Sequence, residues 1–309
     1  MSVLNRDRSN PLEEAAQWFA ELAADEVDPA TERAWQRWLQ ADTRHAVAWA
    51  RVEEISARFS ALPASGRAVL ARRDTLGRRR ALKVLGLALG GLALGWNRAD
   101  DWRLGQGAEL STAVGEIRAF ELAEGLSVWL DTDSQLARVG PSAQWLLLRG
   151  AAAFENRGAA ILQLETGVGQ LRLGLGCCEV RRRDEGVEIA SYTGSVGLFP
   201  QQMRSRTLAQ GQRALITATA VRPLGRVDPG RQLWRQGRLV VDDWSLGALV
   251  AELARYRPGL LTCTAMVAQL RVVGSYPLDD TDRALAALAD SLPVRVERRL
   301  PWWVQIVPA

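Results

Sequence analysis

The stretch GRRRALKVLGLALGGLALGWNRADDW, Gly77 to Trp102, decides how the rest of the chain is to be read. From Ala81 to Trp96 it runs for 16 residues, about 24 Å as a helix at roughly 1.5 Å per residue. A bilayer core is about 30 Å thick, so the run is a short span. Gly86, Gly90, Gly91 and Gly95 lower its hydrophobicity and its helix propensity. A soluble core helix carries a polar face, and from Val84 to Trp96 there is none. The flanks decide in favour of the membrane. Arginines and a lysine precede the run, and Asn97-Arg98-Ala99-Asp100-Asp101 follows it, as expected when the N-terminal side stays cytoplasmic. The expectation is one transmembrane helix over 81–97, with Trp96 and Trp102 at the far interface. The two Gly-xxx-Gly pairs, 86/90 and 91/95, fit either helix pairing or weak hydrophobicity alone.

The same stretch carries a topology signal in Arg78, Arg79, Arg80 and Lys83. It begins too late for an ordinary N-terminal secretory signal. Paired arginines before a weakly apolar, Gly-rich segment resemble a twin-arginine export signal. Positive-inside charge accounts for the same residues without that translocase. Both readings cross the membrane once.

A length of 309 residues suggests two or three domains, and 48% hydrophobic with 24% charged residues is a globular composition. The net charge is +4, but it is unevenly spread. Residues 1–62 hold seven arginines against eleven acids, while 63–83 hold seven basic residues and one acid. The positive charge therefore sits just before the apolar run and forms no phosphate-reading face, so no direct nucleic-acid contact is expected. One histidine, His45, excludes a multi-His metal site, and no cofactor is expected. Cys177, Cys178 and Cys263 are too few for a disulfide framework. They read as buried small hydrophobes, with one loose pairing to Cys263 as the other reading.

On the cytoplasmic side, residues 1–62 read as a small all-α domain, joined to the span by a basic linker over 63–80. Asn10-Pro11 and Asp28-Pro29 are helix starts. Trp18, Phe19, Trp35, Trp38 and Trp49 recur at helical spacing. Four tryptophans exceed what so small a core needs; they are the core itself, or part of them forms a docking surface for a partner. Beyond Trp102 the pattern changes to alternating strands with Gly-rich turns, an all-β domain over 100–228. A hairpin turns near Glu124-Gly125, and further strands are expected at 145–148, 187–190 and 213–216. Pro229-Gly230 marks a boundary. Residues 230–309 then alternate strand, helix, strand, helix, strand, strand, a small α+β domain. Asp242/Asp243 and Asp279/Asp280, at strand-to-helix junctions, read as helix caps.

This order resembles the FecR-type family of single-span anti-sigma regulators, over nearly the whole chain. The N-terminal resemblance rests on Ala15-Ala16-Gln17-Trp18, Trp35-Gln36-Arg37-Trp38-Leu39 and His45-Ala46-Val47-Ala48-Trp49. The β domain contributes Ser111-Thr112-Ala113-Val114-Gly115-Glu116 and Leu126 to Ser134. The last domain resembles the family's secretin/TonB short-like domain through Trp234 to Leu239, Leu249 to Tyr256 and Val272 to Ala289. The resemblance implies that residues 1–62 bind an extracytoplasmic-function sigma factor, with Trp18, Phe19, Trp35, Trp38 and Trp49 as contact residues. It implies that the periplasmic C-terminal domain receives the signalling domain of a TonB-dependent receptor loaded with an iron–siderophore or similar ligand. Periplasmic and intramembrane proteases would then free the cytoplasmic domain and its sigma factor. The implied location is the inner membrane, with the N-terminus cytoplasmic and the C-terminus periplasmic.

One departure matters. Some family members cut themselves between Gly and Thr, when the hydroxyl attacks the preceding carbonyl. Here the matching position reads Leu175-Gly176-Cys177-Cys178. A Cys177 thiol is intrinsically the better nucleophile for that shift, whereas a cysteine filling a core position leaves the chain whole. No enzyme with turnover is expected. The competing reading of the whole is a membrane-tethered periplasmic binding or scaffold module without sigma binding. Both place residues after the run outside the cytoplasm. An alkaline phosphatase fused after Trp102 should therefore be active in cells, and activity of a cytoplasm-only reporter at that site sinks the topology.

Overall fold

A computed structural model describes residues 11–23, 27–61, 109–139, 144–158 and 160–309. The apolar run 81–97, which includes Lys83, and Arg78, Arg79 and Arg80 before it lie outside the described residues. Among the described residues no helix is long and apolar enough to cross a membrane. The chain divides into two compact units, one of residues 96–241 with 274–280, the other of 1–95, 242–273 and 281–309.

The first unit is a β-sandwich. In chain order its strands are β1 (Leu110–Ser111), β2 (Arg118–Ala123), β3 (Leu126–Leu130), β4 (Gln135–Arg138), β5 (Gln144–Arg149), β6 (Ala151–Asn156) and β7 (Leu162–Glu165). Then follow β8 (Gly169–Leu173), β9 (Gly176–Arg183), β10 (Gly186–Thr193), β11 (Val196–Pro200), β12 (Arg206–Leu208), β13 (Gln212–Ile216) and β14 (Val221–Arg226). One sheet has the order β1-β4-β5-β7-β8-β11-β12, the other β14-β13-β10-β9-β6-β3-β2. The β5–β7 pair is parallel. Period-two alternation supplies the core between the sheets. Leu126, Val128 and Leu130 of β3, Phe154 of β6, and Cys178 and Val180 of β9 all point inward.

The two β-domain motifs of the family resemblance are halves of one buried turn. After β3 the chain crosses sheets through Asp131 to Ser134, with Asp133 at φ 50°. The 111–116 segment docks on it. Thr112 Oγ1 donates to the Asp131 carbonyl and accepts from the Ser134 amide at 3.0 Å. The Gly115 amide donates to Thr132 Oγ1 at 2.8 Å. Ser134 Oγ in turn binds both backbone groups of Ala151. Thr132 and Ser134 are buried with their hydroxyls satisfied by this network, while the buried Asp131 carboxylate faces Arg181 at 3.9 Å.

Residues 229–236 form a 3₁₀ helix started by Asp228, whose carboxylate accepts from the Gly230 amide at 2.8 Å. Gly237 ends it in the left-handed region at φ 73°. The C-terminal elements are β15 (Arg238–Ser245), α4 (Leu246–Leu253), β16 (Leu260–Cys263), β17 (Arg271–Pro277), α5 (Thr281–Ser291), β18 (Val294–Leu300) and β19 (Trp303–Pro308). They follow the expected alternation with β16 added. That strand pairs in parallel with β19, Leu260 opposite Trp303. Asp242 and Asp243 are not caps: Ser245 caps α4, its Oγ accepting from the Ala248 amide at 3.2 Å. Asp243 instead takes φ 54° and pairs with Arg271.

The N-terminal helices are α1 (Pro11–Leu22), α2 (Pro29–Ala41) and α3 (Thr43–Ala61). Asp28 caps α2 at 3.0 Å to the Ala30 amide, with Pro29 at the first helical position. Ala15, Ala16 and Phe19 of α1 meet Ala48, Val52 and Phe59 of α3 in one apolar cluster.

Candidate functional site

The aromatic residues picked out in the helices come together in two strings. In one, Trp18 lies 6.4 Å from Trp38, which stacks on His45 at 4.5 Å and 5° between planes. In the other, Trp35 lies 4.9 Å from Trp49, and Trp49 lies 5.9 Å from Phe19. His45 is a structural residue here: its Nδ1 sits 2.7 Å from the Trp38 carbonyl. Glu14 accepts from the Trp38 indole, which fixes that ring against α1. Phe19 is buried, but all four tryptophans keep part of their surface in solvent, and α2 buries no residue at all. Val47 is 71% exposed. The Trp35 Nε1 atom is buried without a hydrogen-bond acceptor. Such a face is incomplete as a core and suited to receive apolar side chains from elsewhere.

A second constellation lies on the outer face of the β9 sheet. Cys178 and Val180 face the core, so Cys177, Glu179 and Arg181 face outward, yet all three are buried. The 229–236 helix covers them. Its Trp234 indole donates to Glu179 Oε2 at 3.1 Å, and the Tyr192 hydroxyl donates to the same oxygen at 3.1 Å. Arg235 lies over the Trp129 ring at 5.0 Å, and its Nη2 reaches Cys177 Sγ at 3.5 Å. Arg231 donates to Glu188 Oε1 at 3.1 Å, while Arg183 takes the other oxygen at 2.7 Å. The small Ala151, Ala153 and Ala190 on this face leave room for the covering side chains. Glu179 and Glu188 meet donors on a helix 43 to 55 residues further along the chain, a pairing that leaves no periodic trace in the sequence.

Burial raises the Glu188 carboxyl, but Arg231, Arg183 and Arg181 outweigh it and hold it below its ordinary range. Burial pushes the Tyr192 hydroxyl up, with the Glu179 charge adding to it. Burial also pushes the Cys177 thiol up, against the opposing pull of Arg235. Cys178, fully inside, is pushed further the same way. Gly176, at φ 143°, is required on packing grounds: a Cβ there would meet the Thr193 carbonyl oxygen at 2.3 Å. This close approach sits beside a bulge in β10 between Ser191 and Thr193. Leu175, just before it, is 66% exposed. Among the described residues no group of three or more His, Cys, Asp or Glu side chains is placed to hold a metal ion.

Two sequence families match this architecture segment by segment. Residues 13–55, the tryptophan-bearing helices, match the family described as Domain of unknown function (DUF4880). Residues 108–197, from β1 into β11, match the family described as FecR protein. Over 108–197 the chain thus carries a FecR-family segment, and over 13–55 a DUF4880 segment. No curated protein matches it in sequence. Among solved structures, it is similar to two crystal structures "of a putative anti-sigma factor from Parabacteroides distasonis ATCC 8503", at 1.65 and 2.50 Å resolution. Sequence identity is 15% and 16%, the match covers 65% of this chain and 98% of each of those, and the TM-score is 0.51 for both. At that identity the likeness concerns the fold.

The depressed Glu188 pKa fixes the sign of a pH effect. Its contribution to stability is complete above the unfolded-state pKa of about 4.3 and is lost as pH falls through the lower folded value. Urea denaturation between pH 6 and pH 3 should show a steeper acid loss for the native chain than for Glu188→Gln, the two converging at low pH. Parallel curves would contradict this role for Glu188.

Proposed function

We propose that this protein is a membrane-spanning regulator that holds an extracytoplasmic-function sigma factor through its N-terminal helices. The observation that carries the reading is the partly exposed aromatic face formed by Trp18, Trp35, Trp38 and Trp49. A tryptophan side chain buries about 150–250 Å², so closing the last third of one contributes roughly 1–2 kcal/mol at about 25 cal/mol per Å². An exposed ion pair contributes about 0–1 kcal/mol. Aromatic burial therefore supplies the affinity, and the excess of acids in residues 1–62 sets encounter and orientation on a basic partner.

In this proposal residues 81–97 cross the inner membrane, the sandwich and the C-terminal α+β elements lie in the periplasm, and a TonB-dependent receptor signals to the latter. Proteolysis then releases the cytoplasmic helices with their sigma factor. Self-cleavage at Gly176–Cys177 belongs to the same proposal. Cys177 Sγ would attack the Gly176 carbonyl carbon, the C–N bond would break, and the thiol proton would pass to the freed amine. Water then hydrolyses the thioester to a Gly176 carboxylate and restores the thiol. Arg235 at the sulfur favours the thiolate that this requires, and burial opposes it.

A pull-down with residues 1–62 against the cell's extracytoplasmic-function sigma factors should capture one of them. Trp18→Ala and Trp38→Ala, with helicity retained, should each weaken capture by about 2 kcal/mol, roughly thirtyfold. Capture of no sigma factor by the folded fragment would refute the reading in favour of a tethered periplasmic module. For the cleavage, the purified protein should give two bands that merge into one in Cys177→Ala; identical banding excludes it.

A further inference from the structure

The apolar face of α1 and α3 already has an occupant in this structure, and that occupant comes from the C-terminal elements. Trp302, in the turn between β18 and β19, meets Phe19 edge-on at 5.2 Å between ring centroids. Leu260, Trp302 and Trp303 join Ala15, Ala16, Phe19 and Val52 in one buried cluster, with Trp49 packed against it. Gln305 of β19 donates to the Glu13 carboxylate on α1. Thr262 stands opposite Gln305, and Cys263 follows it on β16. Burial, with the Glu13 charge adding to it, pushes the Cys263 thiol up to about 11. A chain inserted with 81–97 across the bilayer has α1 on one side and Trp302 on the other, so the contact and the inserted topology exclude each other.

We propose that the Trp302 turn is an intramolecular cap on the sigma-binding face, closed before membrane insertion and removed by it. The proposal rests on the membrane-spanning, sigma-binding reading above. The physical logic is competition. Phe19 and Trp49 offer one apolar surface, and an aromatic residue on a β-turn and an apolar segment of the sigma factor cannot both cover it. Transport of the folded C-terminal elements across the membrane carries Trp302 away and leaves the face open. The regulator then sequesters its sigma factor only from the membrane, where the receptor signal can reach it. A chain that fails to insert stays closed and holds no sigma factor.

The test uses the full chain carrying Glu13→Cys and Gln305→Cys, which sets two thiols where Gln305 now meets Glu13. The chain is made by cell-free translation, either without membranes or with inner-membrane vesicles, and treated at pH 8.5 with a short bismaleimide. The membrane-free monomer should cross-link internally, and the vesicle-inserted chain should do so at least about tenfold less. Trp302→Ala should reduce the membrane-free yield by roughly tenfold, the aromatic pair and its buried area being lost. Omitting Gln305→Cys should abolish it. Equal yields with and without insertion, no product in the membrane-free monomer, or a product that runs as a dimer would each overturn the cap. A second measurement separates this from the function itself. The sigma factor captured by residues 1–62 should bind the membrane-free full chain about tenfold more tightly after Trp302→Ala. Equal binding overturns the cap and leaves sigma binding intact, whereas failure of residues 1–62 to capture any sigma factor sinks the underlying reading and leaves the cross-link to be judged separately.

Discussion

Three helices of 12, 13 and 19 residues cannot enclose four tryptophans, and that constraint governs the chain. Ala15, Ala16, Ala48 and Val52 are small enough to let α1 and α3 approach closely, and Phe19 and Phe59 fill what remains. The indoles are left at the rim, braced by Glu14 and His45 on one side and by one another on the other. Apolar area at a rim is free energy not yet realised. It is recovered only when another surface closes over it, whether a partner protein or the chain's own Trp302 turn.

The β-sandwich solves the opposite problem, too many charges rather than too many rings. Its core is ordinary alternation, but one outer face is itself covered, and the carboxylates of Glu179 and Glu188 lose water there. An unpaired buried carboxylate costs several kcal/mol, so each is met by donors: Trp234 and Tyr192 for one, Arg231 and Arg183 for the other. The covering helix at 229–236 is thereby tied to one place on the sheet.

Much of this was legible in the residues. Asp28-Pro29 reads as a helix start because cap and first-turn proline act within four residues, and the 118–130 hairpin reads from alternation around Glu124-Gly125. Local rules suffice for local structure. Where the outcome depends on distant partners they fall short. Leu260–Cys263 is a strand because β19, forty residues on, pairs with it in parallel; Leu-Leu-Thr-Cys after a glycine does not announce that. Asp242 and Asp243 have the chemistry of caps, yet Ser245 lies nearer the helix and Arg271 draws Asp243 away. The Ser111–Glu116 and Asp131–Ser134 motifs were visible as separate markers of family, while their union in a single buried turn belongs to the fold. For the candidate site, the aromatic residues were all visible as a pattern, and the structure adds which of them touch. The Glu179–Trp234 pair was hidden because 55 residues separate its members.

Hydrogen exchange of the membrane-inserted chain, with and without a bound extracytoplasmic-function sigma factor, tests the central claim most directly. Slowed exchange concentrated in α1 and α3, around Ala15 to Phe19 and Trp49 to Phe59, is the predicted result. Binding that leaves those amides unchanged, with protection confined to the sandwich or absent, would contradict the account.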